Sequence, residues 1–194
     1  ASGQEIIRRY YAALNDLLKG TCSEEPAQKI ELLMNQAGVT IQDRKVVAAA
    51  LNRAQETQSP AAALELPDGR IITGKTSNLL GASAALLLNV LKELAGLGHE
   101  LHIISPEAIE PIQKLKVDYL KSRNPRLHTD EVLIALSTSA AANEDARLAL
   151  EQLPKLHGCQ AHTSVMLSDV DIKTFQKLGV QLTCESVYES GHGY

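Results

Sequence analysis

The chain predicts an α/β protein. A helical segment over residues 1–60 leads into a three-layer α/β domain over 61–188, whose mixed, largely parallel sheet includes one antiparallel hairpin strand. Three observations carry this. Apolar residues in the first sixty positions recur at helical spacing. The polar tract Gln55–Pro60 then marks a boundary, and beyond it short apolar runs alternate with helical stretches. Pro67-Asp68-Gly69 is a β-turn signature between two such runs.

Ile6, Ile7, Tyr10, Leu14, Leu17 and Leu18 form a first helical stripe that Gly20 should stop. Ile30, Leu33, Met34 and Ala37 form a second, ended by Gly38. Val46, Val47, Ala50, Leu51 and Ala54 form a third, with Asp43 as its candidate cap. Ala63–Leu66 and Arg70–Thr73 read as the arms of a hairpin. A helix over Ser77–Ala95 is apolar nearly all round, as for one packed between a sheet and other helices. Leu101–Ile104 reads as a short buried strand. Pro106 suits the first turn of the next helix, and Pro111 should kink or restart it before Ile112–Leu120. Thr129 or Asp130 should cap a helix over Glu131–Ala142, and Asn143 another over Glu144–Leu153. Cys159–Leu167 reads as a strand, Asp169–Leu178 as a helix ended by Gly179, and Val180–Thr183 as the final strand. The tail from Ser186 carries no pattern, and residues 189–194 are expected to be disordered.

Composition narrows the function. The 194 residues carry a formal charge of −4, which argues against a nucleic-acid binder. Aromatics make up only 3%, so base-stacking platforms are not expected either. No apolar run reaches the ~18–20 residues that span a bilayer. Three scattered cysteines, Cys22, Cys159 and Cys184, fit reduced thiols in a cytoplasmic protein.

Gly69-Arg70-Ile71-Ile72-Thr73-Gly74-Lys75-Thr76 matches the phosphate-loop pattern letter for letter. Its first glycine closes the hairpin turn, however, so the variable positions belong to a strand and cannot wrap a triphosphate. Only Gly74, Lys75, Thr76 and Ser77 keep an anion-binding meaning, through free amides at a helix start, hydroxyls and an ammonium. The competing reading is that Ser77 merely caps the helix. Ligands of such sheets bind beyond the strand carboxyl ends. That rule selects 74–77, 105–107, 168–169 and 185–186, with Ser105 and Glu107 as further ligand-binding candidates. His128 and Asp130 are the candidate acid/base pair, against the alternative that 128–131 only starts a helix. Cys159-x-x-His162 with Cys184 has partial zinc spacing, but residues three apart on a strand face opposite sides, so no metal is expected.

Leu66–Ser77 and Asn124–Ser137, supported by Leu80–Asn89, Ile104–Gln113 and Ala149–Leu156, make the chain resemble the domain-of-unknown-function family 1846 over most of residues 1–185. The resemblance implies the C-terminal part of a longer soluble bacterial protein with a further α/β region before it. The start at Ala1, almost immediately helical, fits such a fragment. The resemblance brings no reaction and no catalytic residues.

The leading expectation is a domain of a metabolic enzyme that binds an anionic small molecule. The alternative is a non-catalytic module for self-association or for docking on the rest of a longer chain. Neither nucleic acid nor membrane is expected as a partner, and no cofactor is assigned. Convergence of 74–77, 105–107 and 128–131 on one cleft would favour the enzyme.

Overall fold

The computed structural model describes residues 2–189. Helix α1 (Ser2–Lys19) and helix α2 (Glu25–Ala37) pack together around Ile7, Tyr11 and Met34. Gly38 ends α2 at φ +69°, a left-handed cap that glycine adopts without steric cost. Helix α3 (Lys45–Thr57) starts after Arg44. Asp43 does not cap it: the Asp43 carboxylate accepts the Thr40 amide at 2.9 Å and closes the preceding 3₁₀ turn, Ile41–Asp43.

Strands β1 (Ala61–Glu65) and β2 (Ile71–Lys75) form the hairpin expected from Pro67-Asp68-Gly69, with Gly69 at φ +92°. The phosphate-loop lookalike is therefore β2 and its turn. Gly74 sits inside β2, opposite Ala62. A Cβ there would lie 2.3 Å from the Leu86 backbone nitrogen of helix α4 (Ala82–Leu94). Its role is to let the helix cross the strand closely.

The predicted helix start at Ser77 moves to Ala82, with Gly81 as the cap. Ser77 Oγ accepts the Leu79 and Leu80 amides, and the Ser77 amide donates to Leu80 O, so a turn intervenes. Leu101–Ile104 is not a strand. Ile103 and Ile104 are buried in the core containing α4 and satisfy the apolar pattern without a ladder. Helix α5 (Pro106–Lys114) runs through Pro111 unbroken and passes into a π-helical turn, Leu115–Tyr119. Helices α6 (Thr129–Ala140) and α7 (Glu144–Leu150) follow, then strand β3 (Gln160–Thr163), helix α8 (Asp169–Lys177) and strand β4 (Gln181–Cys184). Asn143 caps α7 as expected, accepting the Ala146 amide at 3.1 Å. The cap of α6 is His128, not Thr129 or Asp130.

The sheet order is β2-β1-β3-β4. The fold is α/β with a mixed sheet, and its pairing is more antiparallel than the alternating elements suggested. β1 is antiparallel to both neighbours, and only β3 and β4 are parallel. The missing strand at 101–104 accounts for part of this difference. Alternation along β1 divides the two faces. Ala63 packs on Val46 and Ala50 of α3, while Ala62 and Leu64 enter the main core with Leu86, Leu87 and Val90 of α4. Helices from the first sixty residues thus cover one face, and α4, α8 and their neighbours α6 and α7 cover the other.

Because β1 runs against the rest, the carboxyl ends of β2, β3 and β4 lie together beside the start of β1. The registers Ala61↔Lys75, Ala62↔Thr163 and Thr163↔Cys184 fix that common edge. The segment after β4 is held there by Met166 N donating to Val187 O and by Asn15 Nδ2 donating to Cys184 O and Ser186 Oγ. Residues 190–194, the remainder of the patternless tail, lie outside the described residues.

Candidate functional site

At that edge opens a cleft of about 930 Å³, lined by Lys75 at the end of β2 with Thr76 and Ser77 after it, Ser164 after β3, and Val187–Glu189 after β4. Leu51, Gln55 and Gln58 of α3 and its end form another wall, and Arg126 completes the rim. Thr76, Arg126 and Glu189 also line an adjoining recess of about 50 Å³, together with His128, Ser83 and Asp171.

Three helix starts meet at this recess. Gly81 caps α4, His128 caps α6, and Asp171 lies in the first turn of α8 behind its Ser168 cap. Each helix start carries roughly half a positive charge, and the anion that they surround is the Asp171 carboxylate. Its Oδ1 accepts Thr129 N at 2.9 Å and Thr129 Oγ1 at 2.6 Å. Its Oδ2 faces His128 Nδ1 at 3.3 Å and accepts Ser83 Oγ at 3.4 Å. Burial alone would raise this carboxyl's pKa. The hydrogen bonds from His128 and Thr129 outweigh it and hold the group below the ordinary carboxylate range.

An ionised Asp171 can only accept, so it fixes the His128 tautomer with the proton on Nδ1. Nε2 makes no hydrogen bond among the described residues, and the ring lines the recess with 29% of its side chain exposed. The hydrogen bond to Asp171 raises the His128 pKa, against burial and the nearby Lys116 charge. The loop that carries the ring is clamped from behind. Glu131 accepts the His128 amide at 2.8 Å, and buried Lys116 Nζ bridges Glu131 at 2.8 Å and Arg126 O at 2.5 Å. Lys116 lies in the π-helical turn.

Several sequence expectations change here. The Thr76 and Ser77 amides cannot form an anion site, because they donate to Pro60 O and Leu80 O, each at 2.9 Å. Gly74 is buried against α4 and lines neither cavity. Asp130 is exposed and accepts the Glu131 amide, so the carboxylate partner of His128 is Asp171. Loop 105–107 does not reach the cleft: Ser105 O accepts the Ala108 amide, and Pro106 borders a separate apolar cavity with Leu101–Ile104. Lys75, Thr76 and Ser77 do share the cleft with Arg126, and Thr76 also lines the recess with His128.

On the opposite face, buried His162 is engaged by Thr183 Oγ1 at 2.7 Å and Glu185 Oε2 at 2.5 Å. Cys159 enters the α4-side core, so the two residues of the zinc-like spacing do not converge. Among the described residues no cluster of three His, Cys, Asp or Glu side chains is placed to hold a metal, and no helix is long and apolar enough to cross a membrane.

Fold and site together define an α/β domain with a polar cleft at its common strand edge and a carboxylate-oriented histidine in the recess. The chain belongs to the family described as domain of unknown function DUF1846, C-terminal, which residues 42–194 match. Similar curated proteins include UPF0371 proteins of Corynebacterium urealyticum, 55% identical over 188 residues, and Streptococcus sanguinis, 50% identical over 189. Each match covers 97% of this chain and 38% of the relative, so the chain spans well under half of their length.

Proposed function

We propose that this domain binds an anionic small molecule in the cleft and serves a metabolic enzyme, with His128 as its acid/base group. The observation that carries this reading is that the cleft lined by Lys75 and Arg126 adjoins, through Thr76 and Arg126, the recess of a histidine whose Nδ1 is committed to buried Asp171. A committed Nδ1 leaves Nε2 to take or give a proton, the arrangement general acid–base chemistry needs. The side chains of Lys75, Thr76 and Ser77 supply ligand contacts in place of their amides. A cleft of this volume falls within the usual small-molecule range of about 300–1,000 Å³.

The test is a titration of the chain with inorganic phosphate and with citrate, followed by the His128 ring ¹⁵N and ¹H signals. Saturable shifts at His128 that weaken at least fivefold in Lys75→Ala support the reading. Unperturbed His128 signals at saturating concentrations of both probes refute it. Exposed Leu32 and Leu33 on α2, 58% and 54% accessible, favour a second role in docking on the remainder of the longer relatives.

A further inference from the structure

We propose that the ligand of this cleft is an amphipathic organic anion, with its acidic group at Lys75 and an uncharged, largely apolar body lying along the strand edge against Leu51 and Val187. This inference rests on the anion-binding reading above and names its ligand class.

Charge in the cleft is gathered at one end. Its charged lining residues are Lys75, Arg126 and Glu189. Lys75 closes β2, and Arg126 is tied to the same side by its Nε, which donates to Ser77 O at 2.6 Å. Glu189 Oε1 lies 4.0 Å from Arg126 Nη1 and so belongs to that end as well. Lys75 is exposed and makes no ion pair among the described residues, which leaves its ammonium to meet an acidic group. The other walls are uncharged. Leu51 and Ala54 come from α3, Pro60 precedes β1, Val165 follows β3 and Val187 follows β4. Gln55 and Gln58, beside Leu51 and Ala54, are neutral amides. Leu51 is 36% exposed and Val187 57%, so both keep apolar surface open to the cleft. The sheet order β2-β1-β3-β4 puts three interstrand steps of about 4.8 Å, about 14 Å in all, between the exits of β2 and β4. Val187 stays at the far side of that span, because its carbonyl accepts the Met166 amide beyond β3. An inorganic anion held at Lys75 reaches only the first part of the cleft. A ligand with an apolar body fills the rest and takes Leu51 and Val187 out of water, which is favourable in proportion to the area removed.

The experiment measures binding of methylphosphonate and hexylphosphonate to the chain by calorimetry, since the two share a head group and differ only in the length of the apolar body. Each methylene taken out of water is worth about fourfold in affinity, so hexylphosphonate is expected to bind about tenfold or more tighter. Lys75→Ala should weaken both probes by a similar factor. Leu51→Gln and Val187→Thr, at exposed positions that the fold does not depend on, should each cut the preference for hexylphosphonate by about threefold or more and leave methylphosphonate unchanged. Leu33→Gln removes an exposed apolar side chain of α2, outside the cleft, and should alter neither probe. Equal binding of the two phosphonates, a preference that survives both cleft variants, or one that falls in Leu33→Gln overturns the amphipathic class, while methylphosphonate binding that shifts His128 leaves the anion site standing. Failure of both probes to bind, with His128 unperturbed, refutes the anion reading and the ligand class with it.

Discussion

Asp171→Asn is the most revealing perturbation, because one side chain satisfies four donors. The carboxylate holds Thr129 N and Oγ1 on one oxygen and His128 Nδ1 and Ser83 Oγ on the other, with 8% of the side chain exposed. An asparagine keeps one acceptor oxygen and replaces the other with a donor. The two short Thr129 bonds retain the oxygen, so the amide nitrogen turns toward His128 and Ser83. Hydrogen bonds to charged groups contribute about 1.5–3 kcal/mol each. Turning all four into neutral hydrogen bonds, two of them reversed in direction, therefore costs about 3 kcal/mol, or roughly 6–12 °C in melting temperature for a chain of this size. His128 must then accept on Nδ1, which moves its proton to Nε2 and reverses the nitrogen facing the recess. Its pKa falls, because the raising hydrogen bond is gone.

The pH dependence has a definite sign. Folded His128 binds its proton more tightly than the unfolded ring, whose pKa is about 6.5. The pair's contribution is thus complete below about pH 6.5 and is lost as pH rises through the elevated folded value. Urea unfolding of the two proteins across pH 5–9, with ¹⁵N shifts of the His128 ring, measures both effects. An Asp171→Asn protein of unchanged stability, or one whose His128 keeps its Nδ1 proton, refutes the network.

Gly74→Ala places a methyl against the Leu86 backbone, which cannot swing aside, and is expected to destabilise by about 1–3 kcal/mol in chemical denaturation. Lys116→Met leaves Arg126 O and Glu131 without their buried cation and should cost about 1–3 kcal/mol while loosening the His128 loop, seen as faster amide exchange at 126–128. ATP is expected to bind no better than other polyanions, because the lookalike loop is a strand; a micromolar, Mg²⁺-dependent affinity abolished by Lys75→Ala would contradict this. Cys22, Cys159 and Cys184 are free thiols, so intact mass should not change on reduction.

Local signals were legible and distant ones were not. The Pro67-Asp68-Gly69 turn, the Gly38 cap and the Asn143 cap each depend on residues a few positions apart, and each is present. Leu101–Ile104 misled because an apolar run of four records burial but not hydrogen-bond partners. Ser77 misled because a serine that accepts two amides in a turn has the same sequence signature as one that caps a helix. The strand-end rule did point to 168–169, two residues short of Asp171. Nothing local ties Asp171 to His128, 43 residues away, since that contact exists only once α6 and α8 pack.

The residues absent from the sequence-based site explain its chemistry better than those present. A helix start attracts an anion, and the start of α6 is answered here from within the chain, by Asp171 accepting the Thr129 amide. The hydrogen bonds from His128 and Thr129 keep this buried carboxylate ionised. That carboxylate in turn fixes the proton on one nitrogen of His128 and leaves the other toward the cavity. The neighbouring cleft presents the side chains of Lys75, Arg126 and Glu189. Orientation and recognition are thus separated. Asp171 and Lys116 set where the histidine stands and how it titrates, and on the proposed reading the cleft rim sets which anion reaches it. Changes behind the histidine should move its pKa and the protein's stability together, whereas changes at the rim should move ligand preference alone.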